Sequence, residues 1–188
     1  MCLAFKNNTI KRCHTFIFLT LLPIAAIASE WELTAYDTAF VFTCSIPITN
    51  NPDSVIEYLW RPEVLKKLSN RISKIDIVSS LKDSQTVFYS FSFFGNNSNA
   101  TYLRYKSSPI NIDVEQLSFS CNWTLWPKPI SSHAKYSIDT LRPVRSLHYS
   151  QEVVFNNTLK PWDVLYARIL LSQTVADLEK ILKNYTGK

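Results

Sequence analysis

The chain has 188 residues and a formal net charge of +5 at pH 7. The first 28 residues contain three basic side chains and no acidic one, so the remainder of the chain carries a net charge of +2. A nearly balanced chain without a dense run of lysine and arginine lacks the charge pattern of a nucleic-acid-binding protein. Only two glycines occur, Gly95 and Gly187, which excludes glycine-rich phosphate loops and nucleophile elbows.

The first 28 residues have the three parts of a secretory signal. They contain basic residues, an apolar run over 15–28 and small residues at Ala26 and Ala28. This pattern predicts cleavage near Ala28 and a single domain over 29–188, secreted or located in the periplasm. The alternative is an uncleaved anchor, but the run is short for a bilayer span of roughly 20 residues and contains Pro23. No later run is long enough to span a membrane, so we expect at most transient membrane contact.

The domain is expected to begin with a short segment, a strand and two helices. Residues 31–37 are interpreted as a leading segment of helical character. Apolar residues then alternate over 40–46 with the two-residue period of a β-strand. Asn51 can cap a helix, and Pro62 ends that helix because proline interrupts the backbone hydrogen bonds. A second short helix is predicted over 63–71.

The middle of the chain is expected to form strands only. Alternating apolar positions predict about five or six antiparallel strands, over 75–77, 87–93, 102–106, 117–125, 134–138 and 147–155. Within the third of these, Arg104 and Lys106 are expected on a wetter face. There they would either be exposed to solvent or meet an acidic ligand headgroup.

A long amphipathic helix is predicted to close the chain. Pro161 suits its first turn, where a missing N–H costs nothing, and Asp163 complements the positive end of the helix dipole. Apolar residues recur at three- and four-residue spacing, as on one helix face. This predicted face consists of Trp162, Leu165, Tyr166, Ile169, Leu171, Val175, Leu178, Leu182 and Tyr185.

This order of elements resembles the helix-grip fold of the START-like (SRPBCC) superfamily, which includes polyketide cyclase-like proteins. The resemblance is carried by the segment 40–78, by 141–143 before a strand and by 161–162 at the start of the closing helix. It covers residues 38–186. It implies an α+β fold in which a curved antiparallel sheet grips a long C-terminal helix, with two short helices after the first strand. The superfamily has no invariant catalytic motif, so the resemblance indicates a fold more than a function.

The resemblance also implies a cavity between the concave sheet and the C-terminal helix, which relatives use for sterols, phospholipids, polyketides and other apolar ligands. The expected function is therefore an exported binding or carrier protein for an apolar small molecule or lipid, non-catalytic and without a cofactor. Large rings suit such a pocket, but they also suit a filled core, and the scarcity of strand-bending glycine leaves a narrow or filled cavity open. The residues expected to line the cavity are Phe42, Tyr89, Phe91, Phe93, Phe119, Trp123, Tyr136, Trp162, Leu165, Tyr166 and Ile169.

Two alternatives stand beside this interpretation. A cyclase- or aromatase-like enzyme on the same fold would need titratable groups inside the cavity, with His148 or Asp139 as candidates. An immunoglobulin-like interaction domain would use Cys44, Trp60 and Cys121 as its Cys…Trp…Cys pattern. The predicted helices have no place in that second fold.

No metal-binding or catalytic constellation is recognisable in the sequence. His133 and His148 are isolated, without a second histidine or a cysteine pair at metal-ligand spacing. We therefore expect no metal site and no catalytic residue. Cys44 and Cys121 remain after signal removal, and in an exported protein they are a candidate disulfide. Both also lie on apolar strand faces, as buried free thiols do, so the two alternatives stay open.

Overall fold

The computed structural model describes residues 29–69, 71–93, 96–122, 127–141 and 144–185. The expected signal segment over 1–28 lies outside the described residues. Two strands, two short helices, six further strands and one long helix follow one another along the chain. Their bounds are β1 Glu30–Ala35, β2 Ala39–Pro47, α1 Pro52–Trp60, α2 Pro62–Leu65 with a 3₁₀ turn at Lys66–Leu68, β3 Ile72–Ser80, β4 Ser84–Phe93, β5 Asn96–Ser108, β6 Asn111–Cys121, β7 Pro129–Asp139, β8 Ser146–Phe155 and α3 Pro161–Asn184.

The eight strands form one antiparallel sheet in the order β1-β2-β8-β7-β6-β5-β4-β3. Strands that follow one another in sequence are neighbours in the sheet, except that β2 pairs with β8. The segment that contains α1 and α2 therefore carries the chain from β2 to the opposite edge of the sheet at β3. Helix α3 leaves β8 and contacts β1, β2 and the 3₁₀ turn. The predicted curved sheet with a long C-terminal helix is confirmed.

The leading segment is a strand, so the expectation of helical character over 31–37 was wrong. Strand β1 pairs with β2, with Trp31 opposite Cys44 and Leu33 opposite Phe42. Leu33 is buried, whereas the flanking Glu32 and Thr34 are exposed, which is the two-residue period of an edge strand. The two short helices consequently follow the second strand of the chain, not the first.

Helix α1 begins where its sequence signals predict. The Asn51 side chain accepts a hydrogen bond from the Asp53 amide at 2.9 Å, and Pro52 occupies the first turn. Such a cap satisfies one of the amides that a helix leaves without an internal partner. Pro62 ends α1 and begins α2. The apolar side of α1 is buried in the core through Val55, Ile56, Leu59 and Trp60.

Arg104 joins the C-terminal end of α1 to the sheet. Its guanidinium donates hydrogen bonds to the carbonyl oxygens of Leu59 at 2.8 Å and Trp60 at 3.1 Å, and to Gln85 Oε1 at 3.2 Å. Cations are favourable at the negative end of a helix dipole. Arg104 is only 1% exposed, so the expectation of a wetter face on this strand was wrong at this position. The Arg104 guanidinium therefore has a structural role, because its hydrogen bonds satisfy the last carbonyl groups of α1.

Helix α3 is anchored through its C-terminal half. Its buried apolar side chains from the middle of the helix onward are Leu171, Val175, Leu178, Ile181 and Leu182. Beyond them, Tyr185 stacks on Tyr58 of α1 with ring centroids 4.3 Å apart, and Asn50 Nδ2 donates to the Tyr185 carbonyl oxygen at 2.8 Å. The expected anchoring of this end is therefore present in the fold. The N-terminal half of α3 lies over a part of the sheet from which a cavity separates it.

The cysteines do not form the candidate disulfide. Cys44 lies in β2 and is buried, Cys121 ends β6, and both are free thiols. The immunoglobulin-like alternative is excluded, because Trp60 lies in a helix and the sheet grips a 24-residue helix. Among the described residues, none of the helices combines the length and apolar character needed to cross a bilayer.

Candidate functional site

A cavity of about 360 Å³ lies between the N-terminal half of α3 and the sheet. Six strands that neighbour one another in the sheet contribute side chains to it, in the order β2, β8, β7, β6, β5 and β4. Apolar and aromatic groups form most of its wall. The lining residues are Phe40, Ser69, Arg71, Phe91, Ser98, Tyr102, Gln116, Phe119, Pro127, Pro129, Ser132, Gln151, Val153, Phe155, Leu159, Asp163, Tyr166, Ala167, Leu170, Leu171 and Thr174.

One face of α3 covers this cavity. Each of its members lies three or four residues from another member, as expected for one face of a helix with a 3.6-residue period. They are Asp163, Tyr166, Ala167, Leu170, Leu171 and Thr174. Asp163 Oδ2 accepts a hydrogen bond from the Lys160 amide at 2.8 Å and so caps the first turn of the helix. This bond holds the Asp163 carboxylate at the cavity wall.

Aromatic rings from separate strands form the sheet side of the cavity. Phe40 and Phe155 lie with ring centroids 5.5 Å apart. Behind the cavity wall, Tyr89 stacks on Phe91 at 5.9 Å and meets Tyr102 edge-on at 5.5 Å. Ring pairs at these distances are favourable beyond the area that they bury. The wall is therefore continuous with the aromatic core.

Several polar groups at the cavity have partners within the fold. The Tyr149 hydroxyl donates to Gln151 Oε1 at 3.0 Å, and Gln151 Nε2 donates to Ser132 Oγ at 3.2 Å. Thr174 Oγ1 donates to the Leu170 carbonyl oxygen at 3.1 Å. The Gln151 amide thus uses both its acceptor and its donor inside the fold.

Burial controls the ionisation of the groups near the cavity. It raises the pKa of the Tyr89, Tyr102, Tyr136 and Tyr149 hydroxyls above the usual 10.0. It also raises the pKa of Tyr166, an effect that the positive charge of Arg71 opposes. The five hydroxyls consequently stay protonated at neutral pH, and in that form each can donate a hydrogen bond but does not act as a base.

Three of the residues expected from the sequence are at the cavity: Phe91, Phe119 and Tyr166. Three others, Phe42, Tyr89 and Tyr136, are buried in the hydrophobic core instead. Phe93 belongs to β4, but its side chain lies outside the described part of the chain, as does Trp123. The aromatic alternation therefore identified the correct face of the sheet but did not separate cavity wall from filled core.

The placement of three residues on α3 was wrong. Trp162, Leu165 and Ile169 are 58%, 60% and 55% exposed, on the side of the helix turned away from the sheet. The N-terminal half of α3 is apolar on both sides, so its hydrophobic pattern does not define the buried face. The anchoring residues further along the helix, with Leu178 fully buried, set its rotation instead.

Several cavity residues were not anticipated by the sequence. Phe40 alternates with Phe42 on one strand face, so the pattern that selected Phe42 also contained Phe40. Asp163 was assigned to the helix dipole alone. Gln116 and Gln151 are polar residues in strands and give no signal of their own, because only the assembled sheet places them at a cavity.

The two catalytic candidates from the sequence, His148 and Asp139, do not lie at the cavity. His148 Nε2 lies 3.9 Å from Asp139 Oδ2. Within the described ranges, no group of three histidine, cysteine or acidic residues is arranged to hold a metal ion.

Comparisons with known proteins identify the fold. No protein-family model matches the sequence, and no curated protein matches it either. Among solved structures, the di-domain ARO/CYC protein BexL from the BE-7585A biosynthetic pathway superposes with a TM-score of 0.59 at 13% identity, covering 79% of this chain. This chain spans about half of that protein, 51% of its length.

Two shorter proteins match over nearly their whole length. Major latex-like protein 151 from Panax ginseng has a TM-score of 0.54 at 17% identity, covering 76% of this chain and 97% of its own. The Zhui aromatase/cyclase from a Streptomyces species has a TM-score of 0.56 at 14% identity, covering 81% and 92%. The chain therefore has the helix-grip, START-like fold that its element order resembles. Similar folds include both aromatase/cyclases and latex-like proteins, so the fold alone does not define the activity.

Proposed function

We propose that this protein binds or carries a hydrophobic small molecule or lipid in the cavity beneath α3, without catalysing a reaction on it. The observation that carries the proposal is the cavity itself. Its volume of about 360 Å³ falls within the range of about 300–1,000 Å³ that is typical of small-molecule sites. Its wall is mostly apolar, with a few polar groups, which is the composition that such sites share.

A cyclase- or aromatase-like enzyme is the alternative on this fold. That activity would need an acid or base within reach of the bound molecule. His148 and Asp139, the candidates from the sequence, lie elsewhere. Of the titratable residues at the cavity, Asp163 accepts a hydrogen bond from the Lys160 amide as part of the helix cap, and burial raises the pKa of the Tyr102 and Tyr166 hydroxyls. These observations favour binding over catalysis.

We further propose that the domain is exported after cleavage near Ala28. The basic, apolar and small-residue pattern of the first 28 residues supports this. The Ser29 amide donates to Glu179 Oε1 of α3 at 3.3 Å, so Ser29, the first residue after the proposed cleavage site, is part of the folded domain. N-terminal sequencing of the protein recovered from the medium or periplasm tests this proposal, and an intact Met1 would overturn it.

Native mass spectrometry of the purified protein, followed by lipid extraction, tests the binding proposal. We expect an apolar molecule to be retained by the wild type. Ala167→Trp would fill the cavity, because Ala167 lines it, and should lose the bound molecule. Ala176→Trp is the matched control, because Ala176 is exposed on the same helix. A wild type that takes up nothing from a lipid extract, or an Ala167→Trp variant that binds as the wild type does, would overturn the proposal.

A further inference from the structure

Helix α3, all of which the structure describes, has no fully exposed acidic side chain. Of its three acidic residues, Asp163 is buried, and Asp177 and Glu179 are half-buried. The large apolar residues and the basic residues that the helix exposes define what we call its outer face, and they are Trp162, Leu165, Arg168, Ile169, Lys180 and Lys183. This face combines apolar side chains with positive charge only.

The N-terminal part of the outer face is apolar and is bordered by cations. Trp162, Leu165 and Ile169 follow one another at spacings of three and four residues, so they form one stripe along the helix. Lys160 Nζ lies 5.2 Å from the ring centroid of Trp162, and the guanidinium of the exposed Arg168 lies beside the stripe. An exposed helix face of this kind, with tryptophan and leucine next to lysine and arginine, is typical of helices that lie in the plane of a membrane interface.

The C-terminal part of the outer face is cationic. Lys180 and Lys183 are exposed there. Glu179, the acidic residue between them in sequence, accepts a hydrogen bond from the Ser29 amide and lies 3.8 Å from Lys183 Nζ. Its side chain is 25% exposed, against 73% for that of Lys183, so the positive charge is the one turned towards solvent. Together with Arg168, these lysines give the helix a positively charged outer side.

From these observations we infer that the outer face of α3 docks on the surface of a lipid bilayer that contains anionic lipids. Trp162, Leu165 and Ile169 enter the boundary between headgroups and acyl chains, while Arg168, Lys180 and Lys183 contact the anionic headgroups. The complementary charge of such a surface favours it over a neutral one. This inference goes beyond the proposed function and does not depend on what the cavity binds.

The charge and the width of the outer face argue against a second copy of the chain as its partner. Two copies joined through this face would bring Arg168, Lys180 and Lys183 close to the same cations of the other copy, and the helix exposes no acidic residue to compensate them. A stable protein interface also uses about 20–30 residues on each side, which is more than the exposed side of one helix supplies. A bilayer has no fixed shape that the protein must match, so a narrow apolar stripe is enough to bind it.

Sedimentation of the purified full chain with vesicles tests the apolar part of the face. The vesicles consist of equal parts of phosphatidylcholine and phosphatidylglycerol. The double variant Leu165→Ser, Ile169→Ser is expected to bind them about tenfold more weakly, because its helix buries less apolar surface in the bilayer. Val78→Ser, Leu81→Ser is the matched control, because these residues are 64% and 73% exposed outside α3. Equal binding by the two double variants would overturn the inference.

A second pair of variants tests the charged part. Arg168→Gln, Lys180→Gln should weaken binding to the same vesicles about tenfold and leave binding to vesicles of phosphatidylcholine alone unchanged. Lys74→Gln, Lys82→Gln removes the same amount of charge from exposed positions elsewhere and is the control. If both charge variants bind the anionic vesicles equally, the outer face is not the docking surface.

The remaining outcomes separate this inference from its competitors. Every variant retains the apolar run over 15–28, so binding through that run does not distinguish them. Thermal unfolding verifies that each variant is folded. A wild type that retains an apolar molecule but binds neither kind of vesicle would overturn this inference and leave the proposed function standing. A dimer of the wild type that Leu165→Ser, Ile169→Ser disperses would assign the face to a second copy of the chain and likewise overturn it.

Discussion

Arg104 Nη2 donates a hydrogen bond to the carbonyl oxygen of Leu59 at 2.8 Å, which ties the middle of strand β5 to the last turn of α1. The guanidinium also lies 5.2 Å from the ring centroid of Trp60, a cation–π distance. Burial lowers the pKa of Arg104, an effect that nearby Tyr89 and Tyr136 oppose. The fold can bury the positive charge of Arg104 because the guanidinium donates hydrogen bonds to three acceptors.

Arg104→Met is expected to lower the free energy of unfolding by about 2–3 kcal/mol, because buried acceptors lose a charged donor. Urea denaturation measures this. Lys106→Met is the control on the same strand. The side chain of Lys106 is 13% exposed, pairs with the exposed Glu57 and lies 5.0 Å from the Trp60 ring centroid. Because no buried carbonyl depends on it, its replacement should cost less than that of Arg104, about 1 kcal/mol. Equal losses in the two variants would show that Arg104 does not support α1 as we describe.

Stability is expected to fall at alkaline pH. Burial raises the pKa of the Cys44 thiol from 9.0 to about 11, and it raises the pKa of Tyr136 and Tyr149 as well. The unfolded chain releases these protons at lower pH than the folded protein does. The free energy of unfolding should therefore be constant with respect to these groups below about pH 9 and decrease as the pH rises above it.

Urea denaturation between about pH 8 and pH 11, a range that spans the ordinary pKa values of cysteine and tyrosine in the unfolded chain, measures the alkaline decrease. Tyr136→Phe should make the decrease shallower, because one group with a raised pKa is gone. Tyr36→Phe is the matched control, since Tyr36 is 60% exposed and its replacement should leave the slope as in the wild type. A flat stability profile across this range would contradict the expectation.

The exposed side of α3 should tolerate substitution. Because Ile169 points away from the sheet, Ile169→Phe is expected to change the free energy of unfolding by less than about 0.5 kcal/mol and to leave uptake of the apolar molecule unchanged. Leu170→Phe, one position along and at the cavity, should reduce that uptake. Thermal unfolding measures the first effect, and native mass spectrometry measures the second. Loss of uptake in Ile169→Phe would place the cavity on the other face of the helix.

The two thiols are expected to behave differently towards alkylating reagents. Cys44 is buried, and its raised pKa keeps the reactive thiolate scarce at neutral pH. Peptide mass spectrometry should find Cys44 modified by iodoacetamide only after unfolding. Cys121 is half-buried and should be modified earlier. Because neither thiol is bridged, a reducing agent should leave the unfolding midpoint unchanged, and a lower midpoint would reveal a disulfide.

Short sequence patterns were enough to predict those helices and strands whose formation depends on neighbouring residues. The Asn51 cap, the proline boundaries of α1 and the alternation in the middle strands depend on residues within a few positions of one another. They predicted the elements that form the helix-grip fold. The exception was β1, where Trp31 and Leu33 offered only two apolar positions, too few to distinguish a strand from a helical turn.

The amino-acid sequence alone determined the number and order of most elements, because capping, proline geometry and hydrophobic periodicity act over short distances. Only the tertiary structure decided what each element faces. It rotated α3 so that Asp163 turns inward and Trp162 outward, buried Arg104 against the end of α1, and placed Gln116 at a cavity wall. The physical reason is that burial and hydrogen-bond partners are supplied by distant parts of the chain, and no local pattern contains them.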